Sequence, residues 1–253
     1  MARKGTLLEQ LTWVEAEGAL SPEAIVVIPI GAAAKEHGPH LPLNNDWTIA
    51  EHLKRRVLEV AEVVIAPTIG YHYYPAFVEY PGSVSLRLET ARELVIDIAR
   101  SLAAFGPRRF YALNTGVSTS QALRPAAEAL AADRIVLRYT DILAVAADTV
   151  RSVQEQDGGT HADEIETSIM LYIAPESVDM SKAVRDFHPG KGRLTRGPGG
   201  TGVYSPTGIY GVATLATWAK GRAVVEAMVV GILRDIESLR SEPLPLVFAR
   251  ETE

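Results

Sequence analysis

Short apolar runs rich in β-branched residues alternate with longer amphipathic stretches along most of this chain, and any fold must satisfy that alternation. The runs occupy residues 24–30, 63–66, 109–113 and 134–138. They are short and mostly apolar, as strands covered on both faces are. Between them, residues 47–62, 90–105, 120–132 and 141–154 read as helices. A last helix is expected from about 213 to 239, where Val224, Met228, Ile232 and Ile236 recur at helical spacing. Strand followed by helix, repeated, predicts an α/β fold of three layers, a mainly parallel core sheet flanked by helices. One strand-rich excursion is expected over residues 71–88. No break in composition and no repeat divides the chain, so one domain over 1–253 is expected, and 253 residues with 47% hydrophobic content can bury a core of that size.

In such sheets ligands bind at the carboxyl ends of the strands. The first strand runs into residues 35–46, the second into 70–75 and the third into 114–119, so these three loops are predicted to share one edge.

The first loop offers Glu36, His37, His40 and Asp46. Imidazole with carboxylate is the ligand chemistry of zinc and, with more carboxylate, of manganese. Gly38, Pro39 and Pro42 stiffen the loop, which lowers the entropy lost in holding ligands ready. The same residues also suit a plain polar turn, with His37 and His40 at the core edge and Asp46 as the N-cap of the next helix. A second cluster spans residues 158–171, a glycine-containing loop entering a helix with Ile165 and Ile169 on its apolar stripe. Asp163 and Glu164 suit the positive end of a helix dipole without any further role. Glu166 lies a turn deeper, beside that stripe, where an unpaired carboxylate is costly. His161 stands at the start of the cluster. A third stretch, 204–211, is a turn-rich lead into the last helix, and the glycines of 197–202 beside Arg193 and Arg196 fit either a substrate-covering segment or a solvated loop.

Composition narrows the partners. There is no cysteine, which excludes disulfides, thiolate metal sites and thiol nucleophiles. A formal net charge of -6 and scattered basic residues disfavour nucleic acid. The opening segment, carrying Glu9, Glu15 and Glu17, has neither the apolar core of a signal peptide nor a membrane span. The expectation is a cytoplasmic protein with a small-molecule substrate and no membrane partner.

Taken together, residues 28–31, 36–42 with Asp46, 80–86, His161-Ala162 with Glu166-Thr167-Ser168, 178–180, and 207–221 resemble the creatininase family of metal-dependent amidohydrolases. The blocks stand in family order. The resemblance implies an α/β fold, a homohexamer, and a two-metal site that hydrolyses a carbon–nitrogen bond in a small, often cyclic molecule through water activated by metal. Carried over, His37 binds one ion, Asp46 bridges two, Glu166 is a further ligand, and His161 moves a proton or orients the substrate. Glu36 is expected as a displaced ligand, and His40, Tyr73 and Asn114 as substrate-binding residues. Zinc leads as the ion, with manganese or iron as alternatives, at one or two ions per chain.

The departures are specific. The family's glutamate two residues before the first histidine is Lys35 here, with Glu36 one place later. The histidine of the family's Asn-Gly-His-Gly-Gly-Asn run is missing from residues 114–119, and Phe77 stands in place of another. Asp163, His72 or His188 are the residues available to compensate. A metal site in some form is expected, because carboxylates brought together repel one another without a cation. The alternatives are trimming of a modified peptide, or a non-catalytic binding or structural homo-oligomer on the same fold.

Overall fold

The computed structural model describes residues 3–246, so the domain expected over 1–253 reaches outside the described residues at both ends. Strands β1 (Thr6–Leu7), β2 (Ile25–Ile30), β3 (Val64–Ile65), β4 (Arg109–Asn114) and β5 (Val136–Tyr139) form one sheet in the order β1-β3-β2-β4-β5, parallel at every pairing. The helices are α1 (Trp13–Ala19), α2 (Asn45–Val60), α3 (Leu88–Ala103), α4 (Ser120–Ala131), α5 (Ala147–Val153), α6 (Glu164–Ile173) and α7 (Trp218–Arg240). Two small ribbons lie outside the main sheet: β6 (Arg185–Asp186) pairs antiparallel with β9 (Gly211–Val212), and β7 (Leu194–Thr195) pairs parallel with β8 (Val203–Tyr204).

β2 is buried at every position. Its alternate residues feed two cores, because successive side chains of a strand point to opposite faces. Val26, Ile28 and Ile30 join Phe110 and Ala112 of β4 in a core with residues of α3 and α4. Ile25 and Val27 join Tyr111 and Leu113 in a core with α2, α6 and α7. The result is helix, sheet, helix, as the sequence predicts. Among the described residues no helix is long and apolar enough to cross a membrane.

The excursion over residues 71–88 holds no strand; a 3-10 turn at Pro75–Phe77 and extended backbone fill it. Proline has no N–H to give a ladder, and this segment is pinned instead by single bonds, Val84 N–H to the Ala34 carbonyl at 2.9 Å and Leu86 N–H to that of His72 at 2.8 Å. Only residues 147–153 of the expected 141–154 helix form, and the last helix begins at Trp218, after a 3-10 turn at Ala213–Leu215. Two elements near the start of the chain had no reading, as had the four short strands of the ribbons: β1, which at two residues has no periodicity to show, and α1. The second was legible, since Thr12 and Glu15 form a reciprocal capping box.

β2 and β4 are neighbours, yet the chain leaves them for opposite sides of the sheet. Such a switch point opens a crevice between the loops that follow. Thr115, just past β4, ties this edge together: its hydroxyl lies 3.1 Å from the Ile30 carbonyl and 3.2 Å from that of Asp46. Gly31 lets α2 come this close, because a Cβ there would stand 2.4 Å from the Asp46 carbonyl oxygen and 2.7 Å from Ala50 Cβ. Gly31→Ala is therefore expected to force α2 off the sheet and lower stability by about 1–3 kcal/mol, as overpacking does. Chemical denaturation measures this, and an unchanged midpoint would show that the approach is not tight.

Candidate metal centre and cavity

The loop after β2 carries Lys35, Glu36, His37, His40 and Asp46 into the crevice, all of them buried. The sequence allowed Asp46 to be the helix N-cap; Asn44 holds that position, and Asp46 lies in the first turn of α2. The Asp46 carboxylate reaches His37 Nε2 at 2.8 Å through Oδ1 and the Lys35 ammonium at 2.6 Å through Oδ2. Burial would raise the carboxyl's pKa, but Lys35 and then His37 hold it far below the usual range.

From the other half of the chain, the segment entering α6 delivers His161 and the first turn of α6 delivers Glu166. Asp163 caps the helix, accepting from the amides of Ile165 and Glu166. Burial, then Glu166, pushes its carboxyl up to about 6. Glu164 is fully buried and accepts from the amides of Glu155 and Gln156 and, at 2.6 Å, from the Lys220 ammonium. It braces α6 against α7. Ala162 adopts a left-handed φ of 47°, and its N–H donates to Glu166 at 2.5 Å. That turn sets Glu166 beside His161, with His161 Nδ1 3.6 Å from Glu166 Oε2.

His37, His161 and Glu166 offer ligand atoms that all lie within 4.8 Å of one another, the group among the described residues that could hold an ion. Proton counting sharpens this. His37 Nδ1 lies 2.9 Å from the Lys35 carbonyl oxygen, and a carbonyl only accepts, so Nδ1 carries the proton. Nε2 then presents a lone pair to the Asp46 carboxylate. His161 Nε2 lies 2.8 Å from Glu36 Oε1 and 3.0 Å from the Glu36 carbonyl, so it too is protonated, and Nδ1 presents a lone pair towards Glu166. Two neutral imidazoles facing carboxylates with lone pairs need a cation or further protons. An outer nitrogen fixed by carboxylate or carbonyl is also the way metal-binding histidines are oriented, and two imidazoles with one glutamate are a zinc donor set. The residues present therefore fit one divalent ion. In the ion-free state burial would lower the His161 pKa, but Glu36 and then Glu166 outweigh it, and the pKa lies above its ordinary value.

The expected residues divide. His37 and Glu166 come together, joined by His161, which the sequence reading cast as a proton carrier. Glu36 and Asp46 stand outside that group. Glu36 takes His161 Nε2 and the Gly38 N–H instead, and packs so closely on Gly208 that a Cβ there would meet its carboxylate at 2.0 Å. Nor do the three expected substrate-binding residues line the cavity beside the centre. His40 Nε2 lies 2.8 Å from the Thr167 hydroxyl, a loop-to-helix tie. Asn114 folds its own loop, donating to the Gly116 carbonyl and accepting the Gly116 N–H. Tyr73 contributes its backbone carbonyl to Ser118. No replacement comes from the residues thought available: Asp163 is taken up by the α6 amides, and His188 is largely exposed beside Asp186.

The cavity has a volume of about 340 Å³. Lys35, His161, Asp163 and Glu166 are its charged lining, and Phe77, Val117, Leu143, Ile165 and Met228 are among its apolar lining. The Phe77 ring stacks on His161 with centroids 4.1 Å apart. Sequence reasoning assigned no role to this stacking or to Lys35. The signal for Lys35 was its place, one charge directly after the Ala32-Ala33-Ala34 run.

A family profile described as Creatininase, creatinine amidohydrolase, matches residues 9–236. The mycofactocin precursor peptide peptidase of Mycolicibacterium smegmatis is 31% identical over 215 residues, covering 82% of each chain. The creatinine amidohydrolase of Pseudomonas putida is 28% identical over 257 residues, 90% of this chain and 95% of that one. A solved structure titled as a manganese creatininase superposes with a TM-score of 0.79 at 25% identity, over 94% of this chain and all of the other.

His72 is fully buried outside the cluster, and neither ring nitrogen makes a well-aligned hydrogen bond. Burial depresses its pKa to about 4. Because the folded value lies below the ordinary 6.5, the stability that depends on neutral His72 is complete above pH 6.5 and is lost as pH falls towards 4. His72→Phe is expected to flatten the fall of the unfolding free energy, read from urea titrations across that window, by up to about 3 kcal/mol. Parallel curves for the variant and the parent protein would contradict this.

Proposed function

The chain belongs to the creatininase family, and from that premise we propose that it hydrolyses an amide carbon–nitrogen bond with one divalent ion held by His37, His161 and Glu166. The observation that carries this reading is the convergence of His37, His161 and Glu166, whose ligand atoms lie within 4.8 Å of one another, with the imidazoles fixed from behind by the Lys35 carbonyl and by Glu36. A divalent ion at such a site supplies Lewis acidity, which activates water and polarises a carbonyl.

The chain's own residues do the rest. Glu36 orients His161, and the Lys35 carbonyl orients His37. Glu166, whose side chain is 20% exposed against 0% for His37, is the group of the three most open to the cavity. Phe77 shields His161 from water. Lys35 sets a positive charge in the wall, where negative charge on an amide oxygen is favoured.

The substrate we propose is a small molecule, cyclic or otherwise, whose amide meets the charged wall while an apolar portion rests against Val117, Leu143 and Met228. A second reading, removal of residues from a modified peptide, draws support from the mycobacterial relative and from the exposure of Val117 and Leu143.

Elemental analysis tests the metal. The purified protein, loaded with zinc or manganese, is expected to hold a divalent ion that chelation removes, and His37→Ala and Glu166→Gln should each cut occupancy at least about tenfold, as loss of a ligand does. A protein that stays metal-free after loading refutes the metalloenzyme reading. A hydrolysis screen of cyclic amides against short peptides separates the two substrates, with activity expected to vanish on chelation and return with the ion.

A further inference from the structure

Lys35 is 4% exposed, and its ammonium lies 2.6 Å from Asp46 Oδ2. The same nitrogen sits 4.8 Å from the Phe77 ring centroid and forms part of the cavity wall. It is also attracted to Glu166 and Glu36. An isolated lysine charge at this depth would be expelled or neutralised; three carboxylates make it favourable.

Charge counting then limits how many ions the site can take. Glu36, Asp46 and Glu166 bring three negative charges, and the two imidazoles are neutral when their lone pairs are used. Asp163 is already met by the α6 amides and by Gln156. With Lys35 in place, a deficit of two positive charges remains. One divalent ion cancels it, whereas two would leave the buried site strongly positive. A second ion would also compete directly with the ammonium for Asp46 Oδ2.

We propose that the Lys35 ammonium takes the place of a divalent ion at Asp46, so that this chain binds one ion fewer than the same cluster would without the lysine. The proposal rests on the metal-binding reading of the site but concerns a difference between variants. The ammonium supplies charge and hydrogen-bond donors that no chelator removes. It does not supply Lewis acidity, so activation of water falls to the single ion at His37, His161 and Glu166.

The test counts ions. Parent protein, Lys35→Glu, Lys35→Met and Lys35→Arg are each loaded with zinc chloride alone, freed of excess and analysed for zinc per chain, with circular dichroism confirming the fold. Lys35→Glu and Lys35→Met are expected to bind one ion more than the parent, and Lys35→Arg, which keeps the cation, the same number. If Lys35→Glu does not fold, Lys35→Met carries the test: zinc should raise its melting temperature by about 5 °C or more beyond the rise seen in the parent, the size of shift that one added tight site gives a chain of this length. Equal counts in the parent and both folded variants overturn the proposal, as does a parent that binds two ions. A parent that binds none refutes the preceding section's reading instead, while a gain of one ion in Lys35→Glu would still place Lys35 where an ion would sit.

Discussion

The buried contact between Lys35 and Asp46 is the interaction on which the arrangement of this site depends. It joins the loop leaving β2 to the first turn of α2. Both charges are desolvated, which is unfavourable for each alone and favourable only because they meet. Removal of either partner leaves the other uncompensated, a loss of about 3–5 kcal/mol in comparable buried pairs. Asp46 gains further support from its place near the amino end of α2, where helix amides favour negative charge. With that contact fixed, the Lys35 carbonyl is fixed too, and with it the protonated nitrogen of His37. One ion pair thus sets both the local charge and the tautomer of the neighbouring His37.

The second half of the site arrives by a different logic. α6 contacts α7 extensively, and two buried devices set its position: Glu164 gathers Lys220 and the amides of residues 155 and 156, and Gly221 lies so close to the Ser168 carbonyl that no side chain fits there. These hold a helix end rigidly enough that the left-handed Ala162 can be tolerated just before it. Left-handed backbone at a non-glycine residue is sustained only where its surroundings over-determine it. Here it turns His161 back towards Glu36 while Glu166 stays on the cavity side.

Much of this was legible in the sequence because it depended on periodicity or on residue type. The β2 and β4 runs, α3, α4 and the loop convergence all follow from alternation and from the rule that parallel sheets bind at their carboxyl edge. Residues 71–88 misled because aromatic residues around a proline-glycine turn resemble a hairpin; Tyr80 is instead buried against Leu194 and Val203 of the β7–β8 ribbon, with no strand of its own. The chemically rich residues were legible as a set and not as individuals. His40 and His37 are three apart in a stiff loop, and only the position of Thr167, far along the chain, turns one of them into a structural tie. Asn114 likewise has a side chain suited to a ligand, and its own loop uses it. Such assignments depend on partners more than a hundred residues distant or on local turn geometry, neither of which composition or spacing encodes.

The order of lysine and glutamate just before His37 shows how closely a site's chemistry depends on single positions. At position 35 the side chain shares the Asp46 side of the cluster; at position 36 it reaches His161 and the Gly38 amide. Lysine at 35 and glutamate at 36 place a positive charge on Asp46 and a negative charge behind His161. The carboxylate behind His161 increases the basicity of the nitrogen that faces Glu166, which strengthens it as a donor to a cation. The ammonium at Asp46 supplies by covalent attachment a charge that would otherwise come from solution. Both placements act in the same direction: Asp46 holds the protein's own cation, and His37, His161 and Glu166 remain the group whose ligand atoms converge.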